Sequence, residues 1–308
     1  MEIALQFVLL ALGFVMLGKG ADWFVEGAAG IAMRFGIPQL VIGLTIVAMG
    51  TSAPEAAVSI AAAVKGNADI TIGNIVGSNI LNILVILGLA ASIVPIAVAR
   101  STVRIEIPFM IGVTALLFYQ GRDGSISLAD GGVLMVAFAA YMMYLYTMAM
   151  KSNVDSDLEE PGLPLGRCLL GAVGGLALII AGSNVTVGAA TSIATYAGLS
   201  ERFIGLTIVA LGTSLPELFT SVAAARRGNA DIAIGNIVGS NIFNILFVVG
   251  LSSLIIDIPF ASAFNFDTYV ALGAAVLLLL CVLRTQRLQR LAGALMLVCY
   301  AAYLGYIL

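Results

Sequence analysis

The sequence predicts an all-α polytopic membrane protein with ten transmembrane helices, arranged as two inverted five-helix repeats. Hydrophobic residues make up 61% of the 308 residues, charged residues only 10%, and the mean hydropathy is +1.09. A polytopic membrane protein needs this balance, whereas a soluble domain of this length would not stay dissolved with it. Apolar runs of spanning length recur along the chain, and one of its segments occurs twice.

Ten apolar runs, separated by Gly, Pro and charged residues, define the helices. Residues 1–150 form the first five-helix half and residues 167–308 the second. Residues 151–166 (KSNVDSDLEEPGLPLG) are the one long polar interruption, and their acids, Pro and Gly predict a flexible linker. The predicted spans are 3–33, 38–64, 70–95, 105–120, 128–150, 165–196, 201–226, 232–256, 268–284 and 291–308.

Residues 43–89 and 205–251 are two copies of one segment. At a constant offset of 162, 34 of the 47 positions are identical. Packing alone would keep size and apolarity, but these copies also keep acids, hydroxyls and amides in register. Because a carboxylate in hydrocarbon is costly, we expect one functional site assembled from both halves. The matched positions include Thr51/Thr213, Ser52/Ser214, Pro54/Pro216, Glu55/Glu217, Ser78/Ser240 and Asn82/Asn244.

The basic residues predict the orientation in the membrane. If the loops after the first, third, fifth, seventh and ninth spans lie on one side, that side holds ten basic residues and the other side three. The richer side is therefore predicted to be cytoplasmic, with both termini outside and the 151–166 linker inside. Because five is odd, the second half must enter the membrane upside down. The ten are Arg34, Arg100, Arg104, Lys151, Arg167, Arg226, Arg227, Arg284, Arg287 and Arg290; the three are Lys65, Arg122 and Arg202.

The repeated segments carry the chemistry of a hard-cation site. Pro54 and Pro216 precede Glu55 and Glu217, and a helical proline removes a backbone hydrogen bond and kinks the chain beside each carboxylate. Every group in the segments offers oxygen, which suits Ca²⁺ or Na⁺, and two carboxylates balance one Ca²⁺. The third and eighth spans add a polar residue at every fourth position: Asn74, Ser78, Asn82, and Asn236, Ser240, Asn244.

Other classes of function fit less well. The chain has no histidine, its three cysteines have no metal-ligand spacing, and a net charge of -3 suggests no nucleic-acid partner. We expect no cofactor, no protein partner and no enzymatic activity, because the motifs of an intramembrane protease are missing. An ion channel would use similar oxygens, but inverted broken helices favour alternating access over a continuous pore. Lys19, Asp22 and Glu26 share one face of the first span and are left as either structural or gating residues.

The motifs GTSAPE and GNIVGSNILNI, repeated as GTSLPE and GNIVGSNIFNI, resemble the alpha repeats of the calcium/cation antiporter superfamily, in particular its prokaryotic sodium/calcium exchanger branch. The resemblance implies a plasma- or inner-membrane antiporter that exchanges Na⁺ for Ca²⁺ by alternating access. Its ions would bind at the midplane between the second, third, seventh and eighth spans. For Ca²⁺ it implies Glu55 and Glu217 with the carbonyls of Thr51 and Thr213. For Na⁺ it implies the carbonyls of Ala48 and Ala210 with Ser52, Ser214, Ser78 and Ser240, while Asn82 and Asn244 complete the cluster.

One residue departs from some members of the superfamily. Potassium-dependent relatives carry Asp where this chain has Asn244, so the resemblance argues against potassium co-transport. Proton-coupled relatives have a GNxxE pattern, which GNADI and GNIVG replace here. A Ca²⁺/H⁺ antiporter stays the alternative prediction, because glutamate can carry a proton.

Overall fold

A computed structural model describes residues 2–66, 68–152, 163–198 and 210–307. Helices occupy most of these residues. They are α1 (Glu2–Arg34), α2 (Gln39–Thr51), α3 (Ala53–Val64), α4 (Ile70–Ile93), α5 (Thr102–Asp123), α6 (Leu128–Ser152), α7 (Leu165–Tyr196), α8 (Ala210–Thr213), α9 (Leu215–Arg226), α10 (Ala230–Ser253), α11 (Phe264–Val282) and α12 (Arg290–Ile307).

The described helices suit a multi-pass membrane protein. Within the described ranges, eight single helices are long and apolar enough to cross a membrane, and α2 with α3 makes a ninth, bent span. The remaining one, the seventh predicted span at 201–226, lies within the described residues only from Ala210 onward, so ten spans stay a prediction. The prediction of a linker at 151–166 falls mostly outside the described residues as well.

Two helix breaks follow from the repeated prolines. Ser52 (φ -80°, ψ 5°) separates α2 from α3, whose axes differ by 52°, and Pro54 lies in the first turn of α3. Proline fits a first helical turn because the amide it lacks would have no partner there. Ser214 (φ -89°, ψ 4°) and Pro216 repeat this arrangement between α8 and α9. The predicted breaks are therefore confirmed in both copies.

Within the described ranges, four helices contain π-helical turns that the sequence did not predict. Two of them, Asn82–Leu87 in α4 and Asn244–Val249 in α10, lie 162 residues apart and begin at the repeated asparagines. The others are Gly43–Val47 in α2 and Thr102–Glu106 in α5. Such turns often occur at functional sites because they turn side chains away from the regular helical register.

The central helices are α4 and α10. Of their most apolar stretches, 78% of the residues in α4 and 94% in α10 are buried. Glycines let α2 approach α10 closely: a Cβ added at Gly239 would lie 2.8 Å from the Leu44 Cα, and one at Gly235 would lie 3.1 Å from the Gly43 Cα. Small residues allow this backbone contact between membrane helices. The second and eighth spans are thus held together next to the helix break.

A second tight contact joins α1 to α7. A Cβ added at Gly20 would lie 2.9 Å from the Gly175 carbonyl oxygen, and one at Gly27 would lie 2.4 Å from the Ala172 nitrogen. The two long helices therefore form a closely packed pair.

The cluster of charged residues on α1 pairs with the end of α9. The Arg227 guanidinium lies 3.2 Å from Asp22 Oδ1 and 3.1 Å from Glu26 Oε2. Each of the three side chains is more than a third exposed. Lys19 has no ion pair among the described residues, so the charged part of this contact uses the two acids, while Phe14 of α1 also packs on Phe219 of α9 with the ring centroids 6.1 Å apart.

Short β-ribbons depart from the predicted all-α class. Strand β1 (Ile96–Ala97) pairs with β4 (Arg287–Leu288), and β2 (Ser125–Ile126) pairs with β3 (Ile258–Pro259), both antiparallel. Strands β3 and β4 lie 162 residues after β1 and β2. Each ribbon therefore joins a loop of one half to a loop of the other, and a two-residue strand has no signal of its own in the sequence.

Candidate cation site

The helix breaks place one glutamate of each half at the start of a helix. Glu55 lies in the first turn of α3 and Glu217 in the first turn of α9, and each is 1% exposed. Free amides at a helix N-terminus favour a negative charge. Both carboxylates are thus buried in the interior of the protein, at positions where the backbone partly offsets their charge.

Each glutamate is bonded to the opposite half of the chain. The Ser52 hydroxyl donates to Glu217 Oε1 at 2.9 Å, and the Ser214 hydroxyl donates to Glu55 Oε1 at 3.4 Å. The two bonds join equivalent residues, and each becomes the other when the two halves are exchanged. The structure therefore brings four of the predicted site residues together.

Asparagines connect α4 and α10 through four reciprocal bonds. Asn79 and Asn241 each donate to the other's backbone carbonyl, at 3.2 and 3.1 Å. The side-chain oxygen of Asn241 accepts from the Asn82 amide at 2.9 Å, and that of Asn79 accepts from the Asn244 amide at 3.1 Å. Because these bonds use the NH₂ groups of Asn82 and Asn244, the oxygens of both amides stay available.

Asn79 and Asn241 were not among the predicted site residues. Both match at the offset of 162 and lie in the motif GSNIxN, so the repeat comparison could have found them. The predicted stripe contains every fourth residue, and it leaves them out because they lie one residue beyond Ser78 and Ser240. Their contacts show that the polar face of these helices is wider than the predicted stripe.

Asn74 and Asn236 hold the glutamate-bearing helices in place. The Asn74 amide donates to the Glu55 backbone carbonyl at 3.3 Å and to Ser59 Oγ at 2.9 Å. The Asn236 amide makes the equivalent bonds to the Glu217 carbonyl at 3.4 Å and to Ser221 Oγ at 2.9 Å, and Asn236 Oδ1 accepts from the Thr51 hydroxyl at 3.0 Å. These two members of the predicted stripe support the site.

Four oxygen atoms at the centre have no hydrogen-bond partner among the described residues: Glu55 Oε2, Glu217 Oε2, Asn82 Oδ1 and Asn244 Oδ1. A buried oxygen left without a partner costs about 1–3 kcal/mol, and more when charged. Oxygens alone suit a hard cation. We call the residues that supply these atoms, with Ser52 and Ser214, the central cluster.

The neutral residues predicted around the central cluster differ in their burial and in their hydrogen bonds. Ser78 is 3% exposed on α4, Thr213 is half-buried at the end of α8, and Ala210 is the first residue of α8. The Ala48 carbonyl accepts from the Ser240 hydroxyl at 3.3 Å, from the Thr51 hydroxyl at 3.3 Å and from the Ser52 amide at 3.0 Å. A cation at the Ala48 carbonyl would therefore have to displace hydroxyl donors.

Comparison with known proteins agrees with the fold and the motifs. The profile of the family described as "Sodium/calcium exchanger protein" matches residues 5–147 and 168–308. The chain is 41% identical to the putative antiporter CaxA of Alkalimonas amylolytica, across 99% of this chain and 98% of that protein. It is 33% identical to the sodium/calcium exchanger MaX1 of Methanosarcina acetivorans, across 98% of each.

A solved structure shows the same architecture. The sodium-calcium exchanger NCX_Mj, soaked with 2.5 mM Na⁺ and 10 mM Sr²⁺, matches with a TM-score of 0.86 and 34% identity, and the match covers 98% of this chain and 99% of that one. The resemblance predicted from the repeated motifs is therefore confirmed. This chain is a multi-pass membrane protein that belongs to the sodium/calcium exchanger family.

Proposed function

We propose that the protein exchanges Na⁺ for Ca²⁺ across the membrane by alternating access, with its ions bound in the central cluster. The observation that carries the proposal is the reciprocal pair of bonds from Ser52 to Glu217 and from Ser214 to Glu55. It brings both buried carboxylates to one place, each with one free oxygen. Relatives named as antiporter and sodium/calcium exchanger support the choice of ions.

Charge explains why such a site would exchange ions. Two carboxylates neutralise one Ca²⁺, whereas an empty cluster leaves unpaired charge inside the membrane, which is costly. We therefore infer that the protein changes the side to which the cluster opens more readily when the cluster is occupied, as an obligatory exchanger requires.

The assignment of ligands follows the two kinds of oxygen. Ca²⁺ needs charge compensation and takes six to eight oxygens. Na⁺ is monovalent and needs less charge. We assign Ca²⁺ to Glu55 and Glu217 with the Thr51 and Thr213 carbonyls, and Na⁺ to the Ala48 and Ala210 carbonyls with Ser52, Ser214, Ser78 and Ser240, while Asn82 and Asn244 complete the cluster between them.

We further propose that the chain has ten spans in two inverted halves and lies in the plasma or inner membrane. The 151–166 linker is then on the cytoplasmic side. The second span is α2 with α3, and the seventh ends in α8 and α9. The serine–glutamate bonds and the bonds between Asn79 and Asn241 each have a counterpart with the halves exchanged, as expected for a two-fold relation. An odd number of spans in each half then makes the two halves antiparallel.

Ca²⁺ uptake into proteoliposomes tests the function. Vesicles loaded with Na⁺ should take up Ca²⁺ from Na⁺-free buffer, and vesicles loaded with K⁺ should not. A pH gradient without Na⁺ should have no effect. Uptake driven by the pH gradient alone would replace the proposal with a Ca²⁺/H⁺ antiporter, and uptake without any counter-gradient would indicate a channel.

A further inference from the structure

A third buried carboxylate lies in the membrane-spanning part of the molecule, on a helix that contributes nothing to the central cluster. Glu106 is 0% exposed and ends the π-helical segment Thr102–Glu106 at the start of α5. Four residues of rise place it about 6 Å into this span. In the described part of the chain it makes no ion pair. An intramembrane acid without a cationic partner needs a functional explanation.

The neighbours of Glu106 leave its charge uncompensated. The Tyr144 hydroxyl donates to Glu106 Oε1. Glu106 Oε2 and the hydroxyl of Tyr141 are both buried, and neither has a hydrogen-bond partner among the described residues. The ring of Tyr141 is stacked on Phe109 with the ring centroids 5.2 Å apart, which holds the hydroxyl in position.

Glu106, Tyr141 and Tyr144 line one cavity of about 170 Å³ between α5 and α6. A cavity of this volume has room for several water molecules. One wall is polar and the rest is apolar, formed by Ile105, Phe109 and Ala140. The side chains that carry the unpartnered oxygens therefore line a space with room for a small ion and water.

The charge of the cavity selects the class of ligand. One carboxylate neutralises one monovalent cation, whereas a divalent ion would leave a net positive charge in a low-dielectric place. A proton on Glu106 would cancel the charge, but it would neither fill the cavity nor give the Tyr141 hydroxyl a partner. We propose that Glu106 Oε2 and the Tyr141 hydroxyl, together with water in the cavity, bind one Na⁺ outside the central cluster.

The second half of the chain lacks this site. The counterpart of Glu106 at the offset of 162 is Thr268, whose hydroxyl donates to the Phe264 carbonyl at 2.7 Å. The nearest acid there is Asp267, which accepts from the Tyr303 hydroxyl at 2.9 Å and is partly exposed. The additional site is thus not part of the repeated transport machinery, and Asp267 provides a matched control.

Binding of radioactive ²²Na⁺ to the purified protein tests the proposal independently of transport. Glu106→Gln should bind one Na⁺ fewer per chain than the unaltered protein, and Asp267→Asn should bind the same number. Tyr141→Phe should weaken this one Na⁺ about fivefold, the effect of one lost neutral ligand. In a Glu55→Gln/Glu217→Gln background, Glu106→Gln should remove a remaining Na⁺.

Two results would overturn the proposal. If Glu106→Gln binds as many Na⁺ ions as the unaltered protein, Glu106 is not a ligand. If the Na⁺ count of the unaltered protein falls to zero in the Glu55→Gln/Glu217→Gln background, all bound Na⁺ belongs to the central cluster. Failure of the proposed exchange would show itself differently, as the absence of Na⁺-driven Ca²⁺ uptake with the Na⁺ count unchanged.

Discussion

Each glutamate of the central cluster uses one carboxylate oxygen to reach a serine of the opposite half and keeps the other oxygen free. The amides of Asn82 and Asn244 behave in the same way, because Asn241 and Asn79 take up their NH₂ groups. At the residue scale, hydrogen bonds therefore hold these side chains in the arrangement that the proposed ion site needs. Such preorganisation reduces the cost of binding.

Replacing either glutamate should abolish Ca²⁺ transport. Glu55→Gln or Glu217→Gln leaves one carboxylate at the site, and its single negative charge does not neutralise a divalent ion inside the membrane. Na⁺-driven uptake of ⁴⁵Ca²⁺ into proteoliposomes measures the effect. Asp267→Asn, which removes an acid elsewhere in a span, should retain uptake. Substantial flux in either glutamine variant would remove the central claim.

Neutral ligands should matter more for Na⁺ than for Ca²⁺. Ser78→Ala or Ser240→Ala removes an uncharged oxygen, which contributes much to a monovalent site and little to the balance of two charges. We expect a larger change in the Na⁺ concentration that half-inhibits Ca²⁺ binding than in the apparent Ca²⁺ affinity. Titrations of the two ions on purified protein compare them. Equal losses for both ions would contradict the separate assignment of the serines.

At the scale of elements, close contacts between glycines hold α1 on α7. A methyl group at Gly27 would lie 2.4 Å from the Ala172 nitrogen, whereas no described atom lies within 4 Å of one at Gly18. Gly27→Ala should therefore destabilise the protein by about 1–3 kcal/mol, since backbone has to move. Gly18→Ala is the matched control and should be close to neutral. Size-exclusion chromatography after stepwise heating compares the variants, and equal midpoints would show that the contact is not tight.

Elements differ in how far the sequence predicts them. The break at Ser52 was predictable because Pro54 acts through its own covalent structure. The π-helical turn that begins at Asn82 depends on what α4 packs against, which no local pattern contains. Glu106 falls on the second residue of the predicted span 105–120, where an acid is unremarkable. In the structure α5 begins earlier, at Thr102, and Glu106 is buried beside Tyr141 and Tyr144 of α6.

The residues of the candidate site also differ in how far the sequence predicts them. Glu55 and Glu217 were predictable because an acid in an apolar run is costly and both copies keep it. The bonds of Asn79 and Asn241 cross between the halves, and only the folded chain shows which atoms meet. The bond from Ser240 to the Ala48 carbonyl was equally hidden, because the two residues belong to different halves.

At the scale of the whole molecule, the predicted orientation can be measured by cysteine labelling. A background without Cys168, Cys281 and Cys299 removes the native thiols. A single cysteine placed in the 151–166 linker should resist an impermeant reagent added outside intact cells, and one added after Leu308 should react. This result follows from the excess of basic residues on the linker side. The reverse labelling would overturn the orientation and leave the repeat unaffected.

The ion pair of Arg227 with Asp22 and Glu26 distinguishes the two halves. Its counterparts at the offset of 162 are Lys65, Asn184 and Gly188, which cannot form such a pair. Two perfectly equal halves would make opening toward either side of the membrane equally favourable. Two exposed ion pairs of about 0.5 kcal/mol each are enough to change that ratio about fivefold. Under the proposed alternating access, positions where the copies have diverged would therefore decide the side to which the empty protein opens.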